Sequence, residues 1–392
     1  MITWHDTEAQ NMMNTFGPTQ ALLVRGSGAH VTDIDGRTYL DFLGGIAVNS
    51  LGHAHPAVVA AVSEQAGRLM HVSNFFSSLP QLALAEKIKQ LAGTGESGRV
   101  FFTNSGTEAN EAAFKLARLH GGTARPRILA LEQAFHGRSM GALALTAKAA
   151  YRDPFGPMLT GVEHIPATIE ALGEALDDTV SALIIEPIQG EAGVVPLPEG
   201  YLSAARELTR SHGVLLIVDD IQTGVGRTGE WFGFQSAGIM PDAFTLAKGL
   251  GGGFPVGALI TTGAASELLK PGNHGTTFGG NPLATAVALA VLNEIETADL
   301  LTNVREREAQ IRAEIAALNS PLISGIRGSG LLLGIALTQP IAADLAREAL
   351  ATGLIINPPN PDTLRIAPPL NITSADVTEF TTLLGSVLAA HA

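Results

Sequence analysis

Short apolar runs separated by polar or glycine-rich segments recur between residues 100 and 262 of this chain. Runs of this length are typical of buried strands, and the longer stretches between them are typical of helices. The alternation predicts an α/β fold with a mostly parallel sheet and helices on both faces. The runs expected to form its seven strands are VFFTN, ILALEQ, EHIPA, ALIIEP, LLIVDD, AFTLAK and VGALITT.

The segments on either side of this alternation have a different character. Residues 1–49 contain strand-like pieces, and Asp35-Gly36 between two of them indicates a hairpin. Residues 276–392 contain long Ala- and Leu-rich stretches, then the strand-like SGIRGSGLLLGIALT and LRIAPPL, and a last helix from Ser374. We therefore predict an N-terminal segment at 1–49, a large α/β domain at 50–275 and a smaller α+β domain at 276–392.

Composition narrows the possible partners and chemistry. At 392 residues the chain is longer than a single core usually supports, which agrees with more than one domain. Its formal net charge of −13 argues against nucleic acid or an anionic membrane surface as a partner. It has no cysteine, which excludes disulfides and thiol catalysis. No signal-like start or bilayer-length apolar stretch is visible, so we expect a cytoplasmic protein.

Charged residues follow two of the predicted strands. The run 214–218 leads into Asp219 and Asp220, and the run 243–247 leads into Lys248. Ligands of open α/β sheets bind at the carboxyl ends of the strands, so these side chains are expected at one edge of the sheet. A lysine removed from water loses its charge readily and can form a Schiff base. An ion pair that caps two neighbouring strands would explain the same spacing.

The segments DDIQTGVGRTG and TLAKGLGGGFP resemble the core signature of the class III, pyridoxal-phosphate-dependent aminotransferases. The resemblance extends from GGIAVNSLGHAHP to LRIAPPL and implies a fold of type I with pyridoxal 5′-phosphate as cofactor. It implies two catalytic residues: Lys248, which would bind the cofactor covalently, and Asp219, which would pair with its ring nitrogen. The family usually has Asp-Glu where this chain has Asp219-Asp220.

Further cofactor contacts are expected around the start of a predicted helix. The strand VFFTN runs directly into Ser105-Gly106-Thr107, and the free amides of a helix N-terminus can bind an anion. From the residues alone, an ordinary Ser/Thr cap is the alternative. The resemblance implies that this turn is a phosphate cup, that Phe135 covers one face of the cofactor ring and that Gln222 also binds the cofactor.

The resemblance also implies the residues that bind substrate. Arg138 would hold a substrate carboxylate, since a guanidinium binds a carboxylate through two hydrogen bonds; by itself it would be a surface charge. Glu186 and Glu191 are spaced as a glycosidase acid/base pair could be, although no second signal supports a sugar site. In the resembled family, Glu191 would pair with Arg365 to admit an ω-amine donor. When freed, Arg365 would take the α-carboxylate of glutamate or 2-oxoglutarate.

Contacts between subunits are implied as well. Thr276 would contact substrate, and Thr277 would reach the cofactor phosphate of a neighbouring subunit, so the resemblance implies a homodimer with shared active sites. It also implies that the N-terminal segment packs with the smaller domain. We expect no metal site, because His53 and His55 have no acidic or third histidine partner nearby in the sequence. Small-molecule substrates are the only other partners expected.

The likeness of NTFGP at 14–18 and FLGGIAVNSLGHAHP is greatest to family members that act on N2-acetylornithine. It implies transfer of the δ-amine of N2-acetyl-L-ornithine to 2-oxoglutarate in arginine biosynthesis, giving N-acetylglutamate 5-semialdehyde and glutamate. Ornithine, 4-aminobutyrate and succinyl-diaminopimelate stay open as donors, and Phe16 stands where tyrosine is common. From other classes, a nucleotide-binding oxidoreductase, a cofactor-free Schiff-base aldolase using Lys248 and a noncatalytic binding module remain alternatives.

Overall fold

The computed structural model describes residues 3–391. Its helices are α1 (Trp4–Asn11), α2 (Gly44–Ala47), α3 (Pro56–Ala66), α4 (Leu79–Ala92), α5 (Gly106–Gly121), α6 (Met140–Leu145), α7 (Ala149–Arg152), α8 (Ile169–Ala175), α9 (Tyr201–Ser211), α10 (Pro282–Thr297), α11 (Leu300–Ala317), α12 (Ala342–Thr352) and α13 (Ser374–Ala389). Its strands are β1 (Leu23–Ser27), β2 (His30–Asp33), β3 (Thr38–Asp41), β4 (Arg99–Thr103), β5 (Arg127–Leu131), β6 (Val162–Ile165), β7 (Val180–Ile185), β8 (Ile188–Gln189), β9 (Val195–Pro196), β10 (Leu215–Asp219), β11 (Ala243–Leu246), β12 (Gly257–Thr261), β13 (Ile323–Ser329), β14 (Leu332–Leu337), β15 (Leu354–Ile355), β16 (Asn357–Asn360) and β17 (Thr363–Ile366).

A seven-stranded sheet in the order β4-β12-β11-β10-β7-β5-β6 forms the centre of the molecule. Each of the seven apolar runs forms one of its strands, so the predicted mostly parallel sheet is confirmed. Strand β12 runs antiparallel to both of its neighbours, and the other pairs are parallel. A sheet of this kind leaves the carboxyl ends of its parallel strands open at one edge for a ligand.

The side chains of the central strands alternate between two apolar cores. On β10, Leu216 and Val218 belong to the larger core, whereas Leu215 and Ile217 belong to a second core that contains residues of α5. This alternation follows from the period of a strand, in which successive side chains point to opposite faces. Because apolar layers cover both faces, the strands read as continuous apolar runs in the sequence.

Smaller sheets flank the central one. The predicted Asp35-Gly36 hairpin is present between β2 and β3, and β3 pairs in parallel with β15, so the N-terminal segment joins the C-terminal part of the chain. A second sheet has the order β13-β14-β17-β16, and α13 begins with a capping box between Thr373 and Asp376. Helices α1 and α12 have no counterpart among the predicted elements. The boundaries of the predicted parts stay predictions, and residues 1, 2 and 392 of the outer parts lie outside the described residues.

In the described part of the chain, no helix combines the length and the apolar character that a membrane crossing requires.

Candidate active site

A cavity of about 420 Å³ opens at the carboxyl ends of the central strands. Strands β10 and β11 lie side by side and in parallel, so Asp219 at the end of β10 and Lys248 just after β11 reach the same cavity. The structure brings together these predicted residues in its lining: Ser105, Gly106, Thr107, Phe135, Arg138, Asp219, Gln222 and Lys248.

Lys248 follows the end of β11 in an unusual backbone conformation. Its φ of +39° lies in the left-handed region, which is strained for a residue with a side chain. Removal of the ammonium from bulk water lowers the pKa of Lys248, although the charges of Glu191 and Asp219 act in the opposite direction. A lysine whose pKa is lowered has a larger share of the neutral amine that acts as a nucleophile.

Asp219 is buried and is held by three hydrogen bonds. Its Oδ2 accepts from Nδ2 of Asn110 and from Nδ1 of His136, each at 2.7 Å, and its Oδ1 accepts from the backbone amide of Ile221 at 3.1 Å. Asn110 is itself fixed, because its Nδ2 also donates to the carbonyl of His136 and its Oδ1 accepts from the hydroxyl of Thr245. The carboxylate therefore has one orientation, with its negative charge at the cavity wall.

His136 and Asn110 are site residues for which no specific role could be predicted from the sequence. Burial lowers the pKa of His136, but the hydrogen bond and charge of Asp219 outweigh this effect and leave the pKa above its usual value. The Nε2 atom of His136 is buried and has no hydrogen-bond partner among residues 3–391. The one available signal was position, since Asn110 lies three residues after Thr107 and His136 directly follows Phe135, and both neighbours were predicted site residues.

The N-terminus of α5 forms one end of the cavity. Ser105 caps the helix, its hydroxyl accepting from the amide of Glu108 at 3.3 Å. The hydroxyl of Thr107 lies 2.6 Å from that of Ser139 and accepts from the amide of Ser139 at 3.1 Å, which fixes the loop that follows Phe135. A helix start of this kind presents free amides and a positive dipole end to an anion.

Phe135 and Arg138 lie on the loop between β5 and α6. The amide of Phe135 donates to Oε2 of Glu186 at 3.0 Å, so this carboxyl holds the aromatic residue at the cavity. Burial raises the pKa of Glu186 to about 8. Arg138 is exposed, and its guanidinium carbon lies 3.6 Å from the centre of the Tyr151 ring. The guanidinium therefore stands beside the cavity and is held by a cation–π contact.

Glu191 and Arg365 form an ion pair, as the resemblance implies, with 2.6 Å between Oε1 of Glu191 and Nη1 of Arg365. Arg365 lies on β17 and is only 1% exposed, whereas Glu191 is half-buried on the loop after β8. Burial raises the pKa of Glu191, but the charge and hydrogen bond of Arg365 outweigh burial and lower the pKa overall. Gln222 links this pair to the cavity, because its Oε1 accepts from Nη1 of Arg365 at 3.3 Å.

Four predicted site residues do not line this cavity: Glu191, Arg365, Thr276 and Thr277. The two threonines lie apart from the others. They line a separate opening together with Asn104, which borders both spaces. The hydroxyl of Thr276 accepts from Nδ2 of Asn104 at 3.4 Å and from the amide of Gly279 at 3.1 Å. Within one chain, Thr277 is therefore not part of the wall that contains Lys248.

Known proteins resemble the chain over nearly its whole length. The sequence profile described as Aminotransferase class-III matches residues 12–388. An acetylornithine aminotransferase of Streptomyces coelicolor is 51% identical over 379 residues, 96% of this chain and 93% of that protein.

Solved structures agree with this match. An N-acetylornithine aminotransferase of Stenotrophomonas maltophilia is 37% identical with a TM-score of 0.84, covering 96% of this chain and 98% of its own. An ornithine aminotransferase of Toxoplasma gondii is 33% identical with a TM-score of 0.93, covering 99% of this chain and 94% of its own.

Fold and site together define a pyridoxal-phosphate-dependent transaminase of fold type I. The chain belongs to the class III aminotransferase family. The predicted family, fold class and cofactor are thereby confirmed, and the oxidoreductase, aldolase and binding-module alternatives are excluded.

The residues of the cavity fit pyridoxal 5′-phosphate chemically. Lys248 would supply an amine for its aldehyde, Asp219 a fixed carboxylate for its basic ring nitrogen, Phe135 an apolar face for its ring and the α5 N-terminus a site for its phosphate. Space at the phosphate end is limited, since a Cβ added to Gly137 would lie 2.5 Å from the hydroxyl of Thr107.

Proposed function

We propose that this enzyme transfers the δ-amine of N2-acetyl-L-ornithine to 2-oxoglutarate, giving N-acetylglutamate 5-semialdehyde and glutamate, and that it acts in arginine biosynthesis. The observation that carries the substrate assignment is the name shared by relatives from several bacteria. Relatives from Streptomyces coelicolor and Mycobacterium leprae, 51% and 50% identical over 96–97% of this chain, are called acetylornithine aminotransferase.

Two residues would perform the proton and charge chemistry. Bound pyridoxal phosphate supplies the electron sink that transamination requires. Lys248, with its lowered pKa, would hold the cofactor, and its amine would then take up and return the proton at the amine-bearing carbon of the substrate. Asp219, fixed by Asn110 and His136, would keep the ring nitrogen of the cofactor protonated.

The Glu191–Arg365 pair would let one cavity accept two unlike substrates. While the pair is closed, the charge of Arg365 is neutralised, and the δ-amine end of acetylornithine, which has no carboxylate, can enter with the α-carboxylate held by Arg138. When Glu191 moves away, the buried guanidinium of Arg365 would take the α-carboxylate of glutamate or 2-oxoglutarate. The 2.6 Å contact and the burial of Arg365 support this interpretation, because a buried guanidinium that loses its anionic partner is stabilised when another anion takes its place.

Separate measurement of the half-reactions tests this pair. Arg365→Ala is expected to slow the glutamate half-reaction by about 30-fold or more, since truncating one partner of a buried charge pair costs ~2–5 kcal/mol. The acetylornithine half-reaction should change much less. Glu191→Ala leaves Arg365 permanently available and should favour glutamate over the amine donor. Stopped-flow absorbance of the cofactor measures both halves; equal slowing of both in Arg365→Ala contradicts the proposal.

A panel of amine donors tests the substrate assignment itself. The pure enzyme, loaded with cofactor, is assayed with 2-oxoglutarate and N2-acetylornithine, ornithine, 4-aminobutyrate or succinyl-diaminopimelate. We expect the highest kcat/KM for N2-acetylornithine. Ornithine is the most informative competitor, because the structural neighbour from Toxoplasma gondii is called an ornithine aminotransferase. A higher kcat/KM for ornithine would overturn the assignment.

We also propose a homodimer whose subunits share active sites. An exposed apolar surface surrounds the loop of Thr277: Phe75 is 92% exposed, Leu79 84% and Phe278 60%. Nδ2 of Asn74 donates to the carbonyl of Thr276 at 3.2 Å, so this surface and the threonine loop are continuous. Contiguous exposed apolar surface is typical of protein interfaces, and Thr277 would reach the second active site across it.

The cytoplasmic location stays a prediction.

A further inference from the structure

Arg365 has an acceptor that no part of the reaction described so far uses. Its Nε donates to Oδ1 of Asn357 at 3.1 Å, whereas Nη1 donates to Glu191 and Gln222. Of these acceptors, only Glu191 carries a charge. When Glu191 moves away, the neutral amide of Asn357 still holds the guanidinium through a different nitrogen atom.

The pairing of β16 with β17 brings Asn357 and Arg365 into contact. Asn357 on β16 lies opposite Arg365 on β17 in the antiparallel register of the small sheet. Side chains of directly opposed residues extend from the same face of a sheet and touch. Asn357 is half-buried and lies on β16, whose pairing with β17 shifts register between Asn357 and Asn360.

The loop after Glu191 is fastened to the same sheet. Nδ2 of Asn360 donates to the carbonyl of Ala192 at 3.0 Å, and Nε of Arg327 donates to the carbonyl of Gly193 at 2.7 Å. A Cβ on Gly193 would lie 2.4 Å from Nδ2 of Asn360, so the loop has no space to shift inward. Because its backbone is held here, opening of the pair must come from rotation of the half-exposed Glu191 side chain.

We propose that Asn357 is a positioning residue that keeps the guanidinium of Arg365 in place after Glu191 leaves, and so prepares it for the α-carboxylate of glutamate and 2-oxoglutarate. The inference rests on the proposed function of the Glu191–Arg365 pair. An amide oxygen orients the cation without neutralising it, so Arg365 keeps its attraction for the substrate carboxylate. A carboxylate at position 357 would orient Arg365 equally well but would compete with the substrate for its charge.

Two substitutions separate orientation from charge. Asn357→Ala removes the acceptor, and we expect KM for glutamate and 2-oxoglutarate to rise about 10- to 100-fold, the usual effect of losing a hydrogen bond to a charged group. Asn357→Asp keeps the shape and the acceptor, and we expect a rise at least as large because it adds a second negative charge at Arg365. KM for N2-acetylornithine should change less than threefold in both variants, since its carboxylate would contact Arg138.

A binding measurement complements the kinetics. Glutarate, an unreactive five-carbon dicarboxylate, is titrated into the cofactor-loaded enzyme by calorimetry. Each Asn357 variant should bind it more weakly, by about the factor by which its own KM for glutamate rises. Asn303→Ala is the matched control: its amide donates to the carbonyls of Leu370 and Ile372 at 2.8 and 3.0 Å, outside the cavity. This control should lower the thermal midpoint and leave every KM unchanged.

The outcomes are distinguishable. If Arg365→Ala raises KM for glutamate selectively but Asn357→Asp keeps the wild-type KM, the role of Asn357 is overturned and the pair stands. If Arg365→Ala has no selective effect, the proposed pair is wrong and the inference is overturned with it. If Asn357→Ala does not fold, Asn357→Asp decides, because it preserves the shape and the hydrogen bond. Equal changes of KM for both substrates would also overturn the inference.

Discussion

At the scale of single residues, the site depends on one carboxylate and the groups that hold it. Asp219 receives two side-chain donors at 2.7 Å and one backbone amide, so its charge and direction are fixed before any ligand binds. Preorganised charge of this kind lowers the barrier of a reaction more effectively than a mobile group, because no reorganisation is needed in the transition state.

Asp219→Asn tests this function of the carboxylate. The amide keeps the size of the side chain but cannot stabilise a protonated ring nitrogen, so we expect cofactor to bind while both half-reactions slow by ~10²-fold or more. Single-turnover absorbance measures each half. Asp242→Asn is the matched control, because Asp242 likewise accepts from a side chain, here that of Arg206, and from a backbone amide but lies outside the cavity. Wild-type single-turnover rates in Asp219→Asn would contradict the account.

Asp219 and Lys248 could be predicted because each directly follows an apolar run of the sequence, 214–218 and 243–247, and the ends of such runs are visible in a linear pattern. It could not indicate that Asn110 and His136 hold Asp219, since these contacts join positions 109 and 83 residues apart. Such contacts depend on how α5 and the loop after β5 pack over the sheet, and a periodic pattern carries no information about that. The Glu191–Arg365 pair was available only through the resemblance.

At the scale of elements, the segment after β10 folds around a second buried carboxylate. The oxygens of Asp220 accept from the amide of Gly233 at 2.8 and 3.0 Å, and Oδ1 also accepts from the hydroxyl of Thr223. These bonds close a loop of residues 220–233 that contains Gln222. Asp220 stands where the family usually has glutamate. Although an aspartate is shorter, its carboxylate at the start of the loop accepts hydrogen bonds from Gly233 at the end of the loop.

Asp220 also makes stability depend on pH. Burial raises its pKa to about 7 from the ordinary 3.8 of an aspartate, so the folded state favours the protonated form. The resulting stabilisation is complete below about pH 4 and is lost as the pH rises to 7. Asp220→Asn is neutral throughout, so its unfolding free energy should fall less between pH 5 and 8, by about 2–3 kcal/mol relative to wild type. Urea denaturation at several pH values measures this free energy. The same change between pH 5 and 8 in both proteins would contradict the raised pKa of Asp220.

The central strands and the capped C-terminal helix could be predicted because their apolar periods and caps are local features. The antiparallel direction of β12 could not, since a buried strand reads the same in either direction. Strands β15 and β16 are short, of two and four residues, and β16 contains the sequence Asn-Pro-Pro-Asn. Prolines argue against a strand from sequence alone, so the strand that places Asn357 beside Arg365 was not predicted.

At the scale of the whole molecule, the active site is incomplete in one chain if Thr277 belongs to the neighbouring site. Subunit mixing tests this. Lys248→Ala and Thr277→Glu are each expected to be inactive, the second because it opposes a phosphate with a negative charge. Heterodimers regain one site from the intact Lys248 of one chain and Thr277 of the other, so random mixing should restore about a quarter of wild-type activity. No recovery after verified subunit exchange would show that each site belongs to a single chain.

The most direct test of the account asks which lysine holds the cofactor. Borohydride reduction of the loaded enzyme makes the bond between lysine and cofactor permanent, and mass spectrometry of the peptides locates it. We predict the cofactor on Lys248, no such product in Lys248→Ala, and at least ~10²-fold slower turnover in that variant, the least that loss of a general base costs. Lys115→Ala is the control, since Lys115 is exposed on α5 near His274. Cofactor on another lysine, with Lys248→Ala still transferring the amine at more than about a tenth of the wild-type rate, would contradict the account.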